Sequence, residues 1–452
     1  MKKLKLTWLL AAAVLSFAGN SVWADEDSGD LKTQLKEITQ RLQTLESEKT
    51  TGDTGSAGSV VITPEHNYLD FSSADGNTVF KLGGVVQSDY RYFLGPNTQY
   101  FDPTGRDTFL IRKVRLDLVG YFDKFVGFRF QEELGATGVA VQDAYAFIKA
   151  DPALQFQFGK SKEAIGLERL QNDTDTLFAE RGLPTDLVPN RDLGFQINGK
   201  AEDFLSYQAE ISNGTPDNQT PANTLDTDST NGKDLTGRLF LTPFHSEDSF
   251  LKGLGVGVAG SWAWQQGALP ANFTTSTGQE TFFSYKTTAT PAGDFYHFSP
   301  QGYFYAGPFG LLAEFVQTTS GVGLGVNSLN LTNQAWQVNA SWVIGGKASY
   351  LGAVADTPLD LSKGHWGALE LAFRVNQVLI DPNTFGPTAA TNYANPGSAQ
   401  QATAYGFGAN WIFNEHFKLV FDFEDTDFQG GNAPAGGWTS EDVFVTRAQA
   451  NF

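Results

Sequence analysis

The sequence predicts an all-β chain, a 16-stranded antiparallel transmembrane β-barrel preceded by a short N-terminal coiled-coil helix. Three observations carry this expectation. Strand-length segments alternate apolar and polar residues with period two, and the links between them alternate short and long. Beyond residue 24 no apolar run reaches the about eighteen residues that a membrane-spanning helix needs. In VGFRFQ, Val126, Phe128 and Phe130 share one parity and Gly127, Arg129 and Gln131 the other. ALQFQFG sets Leu154, Phe156 and Phe158 against Gln155 and Gln157. AYGFGANWIF sets Tyr405, Phe407, Ala409, Trp411 and Phe413 against Gly406, Gly408 and Asn410. A wall between lipid and water needs an aromatic-rich outer parity, a polar inner parity and no unpaired backbone edge.

In chain order, residues 1–24 read as a secretory leader. Lys2, Lys3 and Lys5 precede an apolar run from Leu6 to Ala18, and small residues lead to a cut after Ala24. Residues 25–50 carry Leu31, Leu35, Ile38, Leu42 and Leu45 at spacings of four and three, the seam of a short periplasmic coiled coil expected to be trimeric. Residues 51–76 read as a linker, with TGDTGSAGS its flexible core. The barrel is expected over 77–452 in sixteen segments, the tenth to twelfth of them at 294–307, 309–320 and 333–349. Short turns such as Asp123-Lys124, Asp151-Pro152 and Gly307-Pro308 alternate with long loops at 161–190, 214–233, 266–293 and 380–400. A membrane barrel sorts its connections in this way, periplasmic turns short and external loops long; 244–252 and 350–363 are the exceptions. An even strand number returns VFVTRAQANF to the periplasm, where its strand closes against the first. A terminal Phe452 on such a strand resembles the signal read by the barrel-assembly machinery of bacterial outer membranes.

Composition narrows the function. The formal charge is −19, and losing a leader with three lysines and no acids makes it −22, which argues against nucleic acid as a partner. There is no cysteine, hence no disulfide, thiolate metal site or attached haem, and no cofactor is expected. The five histidines lie on separate segments without a Gly-x-Ser-x-Gly motif, so an outer-membrane hydrolase has little to recommend it.

From about Asn77 to the end the chain resembles one family, the phosphate-selective porins of the O/P type. The resemblance rests on FKLGG (80–84), FLIRKVRLDL (109–118), QDAYAF (142–147), FGKSKEAIGLERL (158–170), AERGLP (179–184), NRDLGFQINGK (190–200), GALELAFRV (367–375), GANWIFNEHFKL (408–419) and the final RAQANF, in order. It implies a sixteen-stranded trimeric channel in the outer-membrane lipid, passing anions past a long third loop folded into the lumen.

Selectivity in a wide, water-filled barrel falls to a few charges at a constriction. The third loop, 161–190, mixes Lys162, Arg169 and Arg181, and Arg191 at its edge, with Glu163, Glu168, Asp173, Asp175 and Glu180. Folded inward it would face Lys113, Arg115, Arg129 and Lys200, and Lys160 is a further candidate. Arg112 and Lys113 match a basic pair of the family, but period two separates them unless a bulge intervenes, so Lys113 is assigned to the lumen and Arg112 left open. Three departures bear on phosphate. Val85 stands where the family has an arginine after FKLGG, Asn172 and Asp173 replace paired serines, and loop 266–293 has Lys286 as its one base. A dehydrated phosphate needs many charge-assisted donors together, so small anions are expected rather than phosphate alone, with a general or cation-preferring pore as the alternative. Asp217, Asp226 and Asp228 are expected to be screened in an exposed loop.

Overall fold

The computed structural model describes residues 61–65, 68–94, 107–135, 139–202, 204–220, 231–246, 248–263, 268–270 and 272–452. The leader and the coiled-coil stretch lie outside these residues, as do Asp226 and Asp228.

Alternating segments pair in sequence order as antiparallel neighbours, the arrangement that short turns enforce. The barrel strands are β1 (Thr78–Leu94), β2 (Thr108–Phe122), β3 (Val126–Glu133), β4 (Ala140–Asp151), β5 (Leu154–Lys162), β6 (Arg191–Ala201), β7 (Leu205–Ser212) and β8 (Asp234–Leu241). They continue as β9 (Leu254–Ala263), β10 (Ala289–Ala306), β11 (Phe309–Leu324), β12 (Asn327–Ile344), β13 (Ala368–Leu379), β14 (Gln401–Asn414), β15 (Phe417–Gln429) and β16 (Glu441–Asn451). The sheet closes where β16 pairs with β1, from Asn451↔Val85 to Asp442↔Leu94. Two shorter strands, Val61–Glu65 and Tyr68–Ser72, fall in the stretch read as linker and form a hairpin that pairs onto the start of β1.

The seam uses the final strand as its alternation requires. Arg447 faces Asp89 across the ladder, with Nε and Nη2 each 2.7 Å from a carboxylate oxygen, and Gln87 donates to Gln449 at 2.9 Å. Phe452 exchanges backbone hydrogen bonds with Gly84, whose missing side chain leaves room for the terminal ring. The FKLGG and RAQANF motifs are therefore two halves of one closure.

Burial is inverted relative to a soluble protein. Phe109 on the outer face is 81% exposed, whereas Arg374 inside is 1% exposed, as lipid outside and packed polar contacts inside dictate. β10–β12 are longer than the sequence segments: β11 and β12 continue through 321–332 into a tight turn at Gly325-Val326, where Gly325 takes the positive φ (+62°) that such turns demand.

Candidate permeation pathway

The loop between β5 and β6, L3 (163–190), crosses the lumen. Its polar backbone would be left unpaired there, and wall side chains meet that need. Leu167 N donates to Glu314 at 2.5 Å, Ala179 N to Asp422 at 2.6 Å, Leu183 N to Asn376 at 2.9 Å, and Asn410 donates to the Leu177 carbonyl at 2.8 Å. Phe178 lies under Arg374, 4.3 Å from guanidinium carbon to ring centre. A side chain at Gly408 would meet that ring at 3.3 Å, so the glycines of AYGFG make the berth. Ile165, Leu183, Leu187 and Val188 of L3 pack with Phe273, Phe282 and Phe283 of the β9–β10 loop, L5, and with Ile380 and Tyr393 after β13. This apolar knot lies within the external half of the barrel. L5 itself carries a small hairpin, Phe273–Thr274 with Thr281–Phe283. Its tip reaches the wall: Thr277 N donates to Glu424 at 3.1 Å, and Arg91 donates to the Gly278 carbonyl at 3.1 Å. From below, Tyr350 in the long β12–β13 connection donates to the Leu167 carbonyl at 2.7 Å and accepts from Gln171 on its own carbonyl at 2.6 Å. The over-long turn is a prop under L3.

On the opposite side L3 faces bases. The β1–β2 ladder slips between Gln87↔Lys113 and Ser88↔Ile111, leaving Arg112 as the extra residue of a bulge. Arg112 and Lys113 consequently both turn inward. Arg112 Nε is 2.6 Å from Glu180 and Lys113 Nζ is 2.7 Å from Asp173. Asp173 also receives Arg115 and, at 2.5 Å, Arg181. Glu180 also receives Arg91 at 3.1 Å and Arg447 at 2.9 Å. Burial works to raise both loop carboxyls, but Arg115, Arg181 and Lys113 around the first, and Arg112, Arg447 and Arg91 around the second, hold each well below the usual carboxylate range.

Two cavities flank this belt. The outer one, about 230 Å³, is lined by the bases Arg112, Lys113, Arg115, Lys162, Arg169, Arg181 and Arg191 against the acids Glu133, Asp173, Glu180 and Asp186. The inner one, about 260 Å³, has Arg115, Arg129, Lys162 and Arg191 against Asp117, Asp143 and Asp173, with Gln131, Gln157, Gln196 and Gln208 between. Arg115, Lys162, Asp173 and Arg191 belong to both and mark the neck. Arg115 spans Glu133 (2.6 Å) and Asp173, and Arg191 holds Asp143 at 2.7 Å. Lys162 Nζ donates to the Gln171 carbonyl at 2.6 Å and makes no ion pair among the described residues.

The sequence candidates thus divide. Arg112, Lys113, Arg115, Lys162 and Arg169 meet at the outer cavity, and Arg129 pairs with Asp117 at 2.6 Å in the inner one. Arg169 donates to the Thr185 carbonyl at 2.6 Å, and burial pushes its guanidinium down to about 10. Lys160 lies opposite Ala144 and Leu193 in the ladder, is buried, and lines neither cavity. Lys200, opposite Ser206 near the periplasmic end of β6, is exposed and away from the neck. Asp217 is not a screened surface charge: it is 1% exposed, 2.7 Å from His297. Sequence reasoning missed Arg91, Arg374 and Arg447, whose inward parity was readable but whose partners on distant segments were not.

A family model described as phosphate-selective porin O and P matches residues 80–452. No curated protein matches the sequence. Among solved structures, the outer membrane channel DcaP of Acinetobacter baumannii is similar at 11% identity over 84% of this chain and 99% of that one, TM-score 0.53. The anion-selective porin from Comamonas acidovorans is similar at 12% identity over 83% and 100%, TM-score 0.51. OmpF of Salmonella typhi, solved with daunomycin, is similar at 12% identity over 84% and 99%, TM-score 0.50. At such identities the likeness is one of fold.

Proposed function

Because the chain belongs to the phosphate-selective porin O and P family and forms an outer-membrane porin channel, we propose that it passes small anions by diffusion along the β1–β6 side of L3. The observation that carries this reading is the neck, where three bases, Arg115, Lys162 and Arg191, line both cavities beside one acid, Asp173. Acids of the facing wall are engaged elsewhere: Glu314, Asp422 and Glu424 accept backbone N–H groups from L3 and L5. Bases therefore set the potential along the path. An anion entering the outer cavity exchanges part of its hydration for charge-assisted donors, strong in a low-dielectric neck. It then leaves among the amides of the inner cavity, toward Lys200. Binding stays weak enough for release, as conduction requires.

The reading includes a leader removed after Ala24 and a homotrimer, supported by the Leu31–Leu45 seam. Phosphate is one candidate solute among small anions, given Val85, Asn172 and Asp173.

Reversal potentials across a bilayer in a KCl gradient test the proposal. The wild-type pore should favour chloride, and Arg115→Gln with Lys162→Gln should lower the anion-to-cation ratio several-fold. A cation-selective wild type, or a ratio indifferent to both changes, defeats it. One observation favours the other sign. A periplasmic vestibule of about 420 Å³ beneath L3 sets Asp175, Glu370 and Glu415 against Lys418. Were the main current to run there, Asp175→Asn with Glu415→Gln would move the ratio instead.

A further inference from the structure

Six bases converge on the two L3 carboxylates, but the carboxylates are not equivalent. Glu180 lines the outer cavity alone, whereas Asp173 lines both. At Asp173, Oδ1 takes Lys113 at 2.7 Å and Arg181 at 2.5 Å, and Oδ2 takes Arg115. Arg181 is fixed in place by the Glu168 and Gln171 carbonyls at 3.1 and 2.9 Å, and Arg115 by Glu133 at 2.6 Å. Two of the three cations, Arg115 and Arg181, are thus held in position by groups other than Asp173. All three surround an oxyanion on two sides, and the oxyanion present belongs to the chain itself.

We infer that Asp173 is a tethered counter-anion seated in an anion-binding site built from Lys113, Arg115 and Arg181, and that the ligand this site takes once the carboxylate is removed is a tetrahedral oxyanion. A tethered group competes at high effective concentration, so a free anion must displace it to bind. With its carboxyl held well below the usual range, Asp173 remains charged at every pH near neutrality and the competition is constant. The wild-type pore then passes anions without retaining them. This inference rests on the anion-channel reading for its physiological meaning, although occupancy of the site can be measured without it.

The test uses the full-length protein in planar bilayers, with current carried by KCl and inorganic phosphate or sulfate titrated in separate arms. Asp173→Asn should lower the half-blocking concentration of at least one oxyanion tenfold or more relative to wild type, while Asp173→Glu, which keeps the anion, stays with wild type. Unchanged half-block by both oxyanions in a folded Asp173→Asn pore overturns the inference. A second variant covers the case in which Asp173→Asn does not fold. With the carboxylate seated, Lys113→Gln should alter oxyanion block less than twofold, and a tenfold weakening there would mean that the site is already open to solutes, which also overturns it. A cation-selective reversal potential of the wild type would sink the anion-channel reading instead, since block of either current reports occupancy.

Discussion

Among the described residues Arg374 and Arg447 are the two largest fully buried side chains, and both sit inside the barrel wall. Arg374 holds Glu424 at 2.6 Å and donates to the Glu180 carbonyl at 2.7 Å. Arg447 spans Asp89, Glu180 and the Ala179 carbonyl. Each therefore joins a wall strand to L3 through charge rather than apolar area. Removing one partner of such a cluster strands the others in a dry site, and Arg447→Gln should destabilise the barrel by about 3–5 kcal/mol. Denaturant unfolding of the refolded protein in detergent measures it; a loss below about 1 kcal/mol would place Arg447 among weak, solvent-screened pairs. At this scale the sequence was half legible. Period two put Arg447 and Lys113 on the inward face, but Asp89 lies 358 residues from Arg447, and no local pattern announces the bulge that turns Arg112 inward as well.

L3, L5 and the β12–β13 connection together narrow the lumen, and each was legible to a different degree. L3 was read as inward-folding through resemblance, and its small-residue berth at Gly406 and Gly408 was visible as an unfilled polar parity in AYGFGANWIF. L5 was read, as 266–293, as one of the long external loops; the overlooked signal is Phe282-Phe283, two adjacent apolar residues that a solvated loop has no use for and that are fully buried here. The over-long turn was noted without an explanation, which Tyr350 supplies. Since the L5 tip meets wall residues through Thr277 and Gly278, it occupies cross-section that water and ions would otherwise use. Replacing 275–280 by a two-residue glycine turn should raise single-channel conductance by roughly half or more with little change of reversal potential, because the bases of the neck are untouched. Unaltered conductance would show that L5 braces the wall without obstructing the current.

For the whole molecule, strand number, order and closure were legible because a closed wall between lipid and water repeats one rule in every segment, and errors in a single strand do not disturb the count. The balance of charge was not, since composition sums acids and bases without locating them. The chain has 50 acids and 31 bases, yet seven bases face four acids in the outer cavity, while exposed acids such as Asp356 and Glu415 sit at the periplasmic end. These two populations respond differently to salt. The screening length falls from about 10 Å at 0.1 M to about 3 Å at 1 M, so the exterior acids, which repel anions from a distance, fade over this range. The neck charges act on an ion at contact and persist. The anion-to-cation permeability ratio should therefore hold or rise from 0.1 to 1 M KCl. A ratio falling to unity at 1 M would mean that selectivity comes from long-range potential rather than from Arg115, Lys162 and Arg191 at the neck, and the net charge would then be the better guide to what this pore admits.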